Sequence, residues 1–195
     1  MSVKEHMAER DDTTKLGFWI YILTDVMLFG ALFATYMILR HNTAGGPNTV
    51  DIVQPPYVLM QTILLLASTF TVALATLAAR HGKTQMLKAQ LALTMALGLG
   101  FLLMEINEFV TLVSDGHAWQ VSAFLSAFFA LVGTHGAHIL MGLIWLGTLM
   151  WLINRRGLTP HVERKLGLFA LFWHFLDIVW IFIFAVVYMF GVGVV

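Results

Sequence analysis

Seven polar side chains embedded in long apolar runs could do chemistry in this chain: Asp25, Glu105, Glu108, His135, His138, His174 and Asp177. Six of them fall in pairs three apart, Glu105-Ile-Asn-Glu108, His135-Gly-Ala-His138 and His174-Phe-Leu-Asp177. On a helix that spacing sets both members of a pair on one face. Carboxyl and imidazole groups relay protons, ligate first-row metals or tie helices together by hydrogen bonds. An Asp at the centre of a bilayer costs roughly 2.5–3.5 kcal/mol on insertion scales. Such groups therefore face protein or water, and they mark functional sites by default.

Three readings fit the five members Asp25, His135, His138, His174 and Asp177. They are a structural hydrogen-bonded network, a di-iron or zinc site built from His-x-x-His plus His-x-x-Asp, or a proton path. Counting 1.5 Å per residue places Asp25 ~12 Å, His174 ~10 Å and Asp177 ~15 Å above the inner face. His135 and His138 come to ~12 and ~8 Å if the hydrocarbon is about 30 Å thick. One inner-leaflet polar layer is expected. Glu105 and Glu108, at ~21 and ~26 Å, are expected to form a separate, higher site. Glu108 is near enough to the outer headgroups to snorkel, whereas Glu105 is too deep for that and is the better candidate for a functional acid.

The elements that carry these residues follow from composition. Of 195 residues, 59% are hydrophobic and 11% charged, against roughly 45–50% and 25% in soluble domains. A soluble globule could not cover that much apolar surface. Eleven Lys+Arg balance eleven Asp+Glu, and there is no cysteine. That leaves no basic field for nucleic acid, no disulfide scaffold and no thiolate metal site. The reading is an all-α membrane protein, a bundle of five transmembrane helices. The spans are expected at about 17–39, 58–79, 91–113, 123–152 and 167–190, each near the 20 residues a bilayer needs. The fourth is long enough to tilt or project. Residues 1–16 are a polar, mixed-charge tail with no apolar core before a cleavage site, so the first run is expected to remain as a span.

Ten of the eleven cations fall on one side. They are Lys4, Arg10 and Lys15 in the tail, Arg80, Lys83 and Lys88 in the second connection, and Arg155, Arg156, Arg164 and Lys165 in the fourth. Only Arg40 lies opposite. The positive-inside rule then places the N-terminus in the cytoplasm and the C-terminus in the periplasm. Ala44-Gly45-Gly46-Pro47 and Pro55-Pro56 predict a structured first outer loop. Tyr57, Trp119 and Tyr188 are expected in the outer aromatic belt, and Trp19 and Trp151 in the inner one. Small residues every four, Ala67, Thr71, Ala75 and Ala79 in the second span and Ser122 to Gly142 in the fourth, predict close helix packing. No nucleotide loop, nucleophile elbow or haem-attachment motif occurs.

Three strings together carry a family likeness: Gly17-Phe-Trp-Ile-Tyr with Asp25, the run from Ser122 through Thr134-His-Gly-Ala-His138, and Phe172-Trp-His-Phe-Leu-Asp-Ile-Val-Trp180. With Glu105 and Glu108 ahead of Ser114-Asp115-Gly116, they resemble subunit III of the haem–copper respiratory oxidases over about residues 16–191. The five-span form, Asn42-Thr-Ala-Gly-Gly-Pro47 and Arg155-Arg-Gly-Leu-Thr159 look like the cytochrome bo-type, ubiquinol-oxidising branch. The resemblance implies a noncatalytic subunit of a proton-pumping oxidase in the bacterial inner membrane. It would pack on a subunit I that holds haem and copper, retain phospholipids and support proton uptake, with no metal or cofactor of its own. Glu105 matches the family's carbodiimide-reactive carboxylate, and the His135/His138 and His174/Asp177 pairs match its last two helices. The alternatives are subunit III of a cytochrome c oxidase, a free-standing intramembrane metalloenzyme and a proton-coupled transporter.

Overall fold

Apolar runs of this length in hydrocarbon must satisfy every backbone group internally, which selects helices. The computed structural model describes residues 3–189, and side chains from Thr13 onward; Phe190, the expected end of the fifth span, lies outside the described residues. The elements are α1 (Val3–Leu39), a short α2 (Thr49–Ile52), α3 (Pro55–Arg80), α4 (Thr84–Ser114), α5 (Ala123–Arg156) and α6 (Pro160–Ile183). A π-helical segment, Phe184–Met189, continues α6. Five helices are long and apolar enough to cross a membrane, and no strand occurs among the described residues.

The helices outrun the apolar spans that sequence alone marks out. The helix of the first span continues back through the polar tail to Val3, the third begins at Thr84 rather than near residue 91, and the fourth ends at Arg156. Hydrocarbon fixes only the apolar stretch, whereas the helix stops where its backbone is capped. The Ser122 hydroxyl accepts from Leu125 N–H to start α5, and Thr159 accepts from Val162 N–H ahead of Pro160 to start α6. In the loop between α1 and α2 the chain turns through left-handed backbone at Ala44 (φ 53°) and Gly45 (φ 79°). It then enters α2 through a capping box. The Asn48 side chain accepts from Val50 and Asp51 N–H, and the Asp51 carboxylate accepts from Asn48 N–H at 2.9 Å.

Helices α3, α4, α5 and α6 close a four-helix ring, each packed on the next, while α1 leans on α5 and α6 from outside. The axis of the ring is occupied by aromatic side chains from α6. Trp173, 1% exposed, donates its indole N–H to Ser68 Oγ of α3 at 2.9 Å. Its ring lies against Gly98 of α4 and Gly142 of α5, where an added Cβ would come within 3.1 and 2.7 Å of it. Two turns on, Trp180 donates to Thr62 Oγ1 of α3 at 3.0 Å and meets Phe101 of α4 edge-on at 4.6 Å. Its ring also lies 5.2 Å from that of His135 of α5. Each indole thus touches the other three helices of the ring. The expected α3 stripe is also realised: Thr71, Ala75 and Ala79 are buried, and Thr71 shares a 2.7 Å hydroxyl contact with Thr94 of α4. The expected α5 stripe is realised in part. Ser122 and Gly142 are buried, Gly142 lies against Trp173 and His138 meets Asp25 of α1. Ser126 and Ala130 are exposed, and Gly136 adds a close approach outside the stripe.

Candidate functional site

Glu105 lies near the middle of α4 with its carboxyl group pressed on the backbone of α5. Its side chain is 2% exposed and Oε2 has no hydrogen-bond partner. A Cβ added at Gly136 would fall 2.8 Å from Glu105 Cδ and collide with Oε1. Gly136 therefore provides the bare surface on which this carboxyl rests. The residue before it is His135. This corrects the expected depth separation between Glu105 and the histidines. Glu105 is nine residues below the outer end of α4 and Gly136 thirteen below that of α5, so α5 protrudes ~6 Å farther outward. A helical side chain also leans toward its own N-terminus, which for α4 is the cationic end.

Glu108, one turn on, faces another way. Its Oε2 accepts from Gln61 Nε2 of α3 at 3.3 Å, and its Oε1 accepts from Tyr188 O–H at 3.4 Å. It is held by neighbours on both sides rather than snorkelling freely. The two carboxyls interact electrostatically with each other and with Tyr188. Tyr188, expected in the outer belt, is only 3% exposed. The wider turn of the π-helical segment carries it onto the ring axis, in line with Trp173 and Trp180. Gln61 and Tyr188 are the members of this site that sequence reading passed over. A lone amide in an apolar run was the available signal for Gln61, and for Tyr188 there was none, because belt and interior tyrosines look alike.

The expected five-member layer divides into three parts. Asp25 of α1 and His138 of α5 form a pair, Oδ1 to Nε2 at 3.6 Å. His138 Nδ1–H donates to Thr134 O at 2.7 Å, which orients the ring. With Nδ1 so used, an unprotonated Nε2 would set lone pair against lone pair. The contact is attractive only with a proton on Nε2 or on the carboxyl. Phe29 of α1 packs on His138 with ring centroids 5.2 Å apart, closing the pair off. His135, fully buried, donates Nε2–H to the Leu176 carbonyl of α6 at 3.2 Å, leaving Nδ1 unpartnered among Phe29, Phe101 and Trp180. His174 donates Nδ1–H to Ala170 O, and Asp177, buried one turn on, leaves Oδ1 without a hydrogen-bond partner. Among the described residues, no three His, Cys, Asp or Glu side chains converge as a metal site requires.

The arrangement is that of a bundle with acids and imidazoles built into its seams. The sequence matches the family described as cytochrome c oxidase subunit III over residues 3–192. The chain belongs to that family. Among curated relatives, the "Cytochrome bo(3) ubiquinol oxidase subunit 3" of Pseudomonas putida is 49% identical over 92% of this chain and 86% of its own. The "Quinol oxidase subunit 3" of Bacillus subtilis is 42% identical over 97% and 93%. The "Cytochrome c oxidase subunit 3" of Bacillus sp. (strain PS3) is 44% identical over 90% and 85%. Membership makes this chain a multi-pass membrane subunit of an oxidase complex.

Proposed function

We propose that the chain is the noncatalytic third subunit of a proton-pumping ubiquinol oxidase in the bacterial inner membrane. The observation that carries this is the 49% identity to a ubiquinol oxidase subunit 3 across 92% of the chain. In this reading it packs on the subunit that holds haem and copper, retains phospholipids and supports proton uptake by that subunit. Its polar pairs then serve as seams and proton-holding groups rather than ligands. Ubiquinol as the donor follows the relative named for it at 49% identity, against 44% for one named for cytochrome c oxidase.

Extraction in mild detergent through a tag on this chain tests the proposal. The purified material should show haem absorbance and oxidise ubiquinol but not reduced cytochrome c. Turnover of cytochrome c alone would move the chain to the other branch. A haem-free single chain would remove the accessory-subunit reading, and stoichiometric iron or zinc in that single chain would favour the metalloenzyme.

A further inference from the structure

At the end of the bundle opposite the cationic face, a polar cleft of about 160 Å³ opens between α2, the start of α3 and the end of α4. Its walls include Asp51, Asn107, Thr111, Asp115 and His117, and Glu108 is the innermost carboxylate lining it. A cavity needs only about 10–15 Å³ of this kind of space per water, with two to four polar partners. This cleft has room for several. Beyond Glu108 the polar chain continues inward. Gln61, 0% exposed, grips Glu108 through Nε2 and leaves Oε1 without a partner. Glu105, 2% exposed, leaves Oε2 without one. Buried polar atoms are rarely left unsatisfied, and a water is the usual explanation. Toward the cationic end the surroundings turn apolar: Gly136 lies under Glu105, and one turn below it on α4 Phe101 packs on His135 and the Trp180 ring.

We infer that this cleft is a hydrated inlet through which the buried carboxyl pair exchanges protons with the aqueous phase on the periplasmic side. A hydronium ion in the cleft gives a proton to the Glu108 carboxylate and is left as water. The proton then passes to the Glu105 carboxylate through water at its unpartnered Oε2, and the reverse transfers return it. No other bond changes. The groups facing the path are Asp51, Asp115, His117 and Tyr57 at the mouth, and Gln61 and Tyr188 at its inner end. The carboxyl pair is then a proton-holding site served from the side away from the ten cations. Its periplasmic placement rests on the orientation expected from those cations.

The absence of native cysteine in this chain makes single-cysteine mapping in the intact complex direct. Thr111→Cys lies in the cleft, Val110→Cys beside it on the exposed apolar surface, and Trp119→Cys on the α4–α5 connection. A charged, membrane-impermeant methanethiosulfonate is added outside right-side-out vesicles. Thr111→Cys should react at least about tenfold faster than Val110→Cys, because a thiol in hydrocarbon is not ionised. Equal, slow reaction at both positions overturns the inlet. The deuterium shift of the Glu105 carboxyl infrared band, assigned with Glu105→Gln, should be slowed severalfold once Thr111→Cys is capped; unchanged exchange also overturns it. Trp119→Cys separates the two claims. If it labels only from the inside, the orientation fails, while the contrast between Thr111→Cys and Val110→Cys, repeated in inverted vesicles, still decides the inlet.

Discussion

A glycine decides where the buried acid can sit. Glu105 rests on the bare backbone of Gly136, and a single methyl there would meet Cδ at 2.8 Å. Both sides of this contact, Glu105 and Gly136, are buried. Gly136→Ala should therefore overpack the α4–α5 seam and cost about 1–3 kcal/mol, read as a lower thermal midpoint of the complex. Helix propensity works in the other direction by up to about 1 kcal/mol, so a net loss means that the clash outweighs it. Shortening the acid should return the space: Glu105→Ala combined with Gly136→Ala should be more stable than Gly136→Ala alone. Additive losses would place the cost elsewhere. The sequence showed Glu105 as a deep acid, but not the glycine beneath it. His135-Gly-Ala-His138 reads as two histidines with spacers, and only the offset of α5 against α4 turns one spacer into a seat.

The five helices were legible because each is a continuous apolar run, a signal that needs no partner to interpret. Contact faces were less so. The four-residue stripe of α3 was found because Thr71, Ala75 and Ala79 are buried in that register, with Thr71 meeting Thr94 of α4. The similar stripe on α5 holds at Ser122, His138 and Gly142 but not at Ser126 and Ala130, because small residues also suit exposed positions. The α3–α6 seam depends on pairing that sequence cannot show, two indole N–H groups donating to hydroxyls on another helix. Ser68→Ala should leave the Trp173 N–H buried and unpaired, a loss of about 1–3 kcal/mol by desolvation. Measured interhelical bonds in membranes average nearer 0.6 kcal/mol, so about 1 kcal/mol is expected. Trp173→Phe with Ser68→Ala removes both partners and should destabilise by less than the sum of the two single changes. A strictly additive double-mutant cycle, measured as denaturation of the purified complex, would show that the bond contributes nothing.

For the molecule as a whole, charge and packing make competing claims on the first helix. Its tail carries Lys4, Arg10 and Lys15, and Arg40 follows its other end. Neutralising those three tail cations would leave one cation beyond the helix and none before it, and a rule applied to that helix alone predicts inversion. The remaining chain argues otherwise. Seven of the eight remaining cations still flank the second and fourth connections on one face, and α1 is attached to α5 and α6 by geometry that works in one direction only. Asp25 meets His138, Phe29 covers the pair, and Tyr36 packs on Phe124 near the other end. An inverted α1 would lose all three contacts and would leave Asp25 without its imidazole. The triple neutralisation is therefore expected to keep the α4–α5 connection outside, as a reporter enzyme fused after Trp119 would show. Adding Asp25→Leu should weaken the attachment of α1 without changing that reporter, because α1 stands outside the ring that α3, α4, α5 and α6 close among themselves. Inversion of the reporter by the tail changes alone would mean that the first helix, and not the bundle, sets the orientation of the chain.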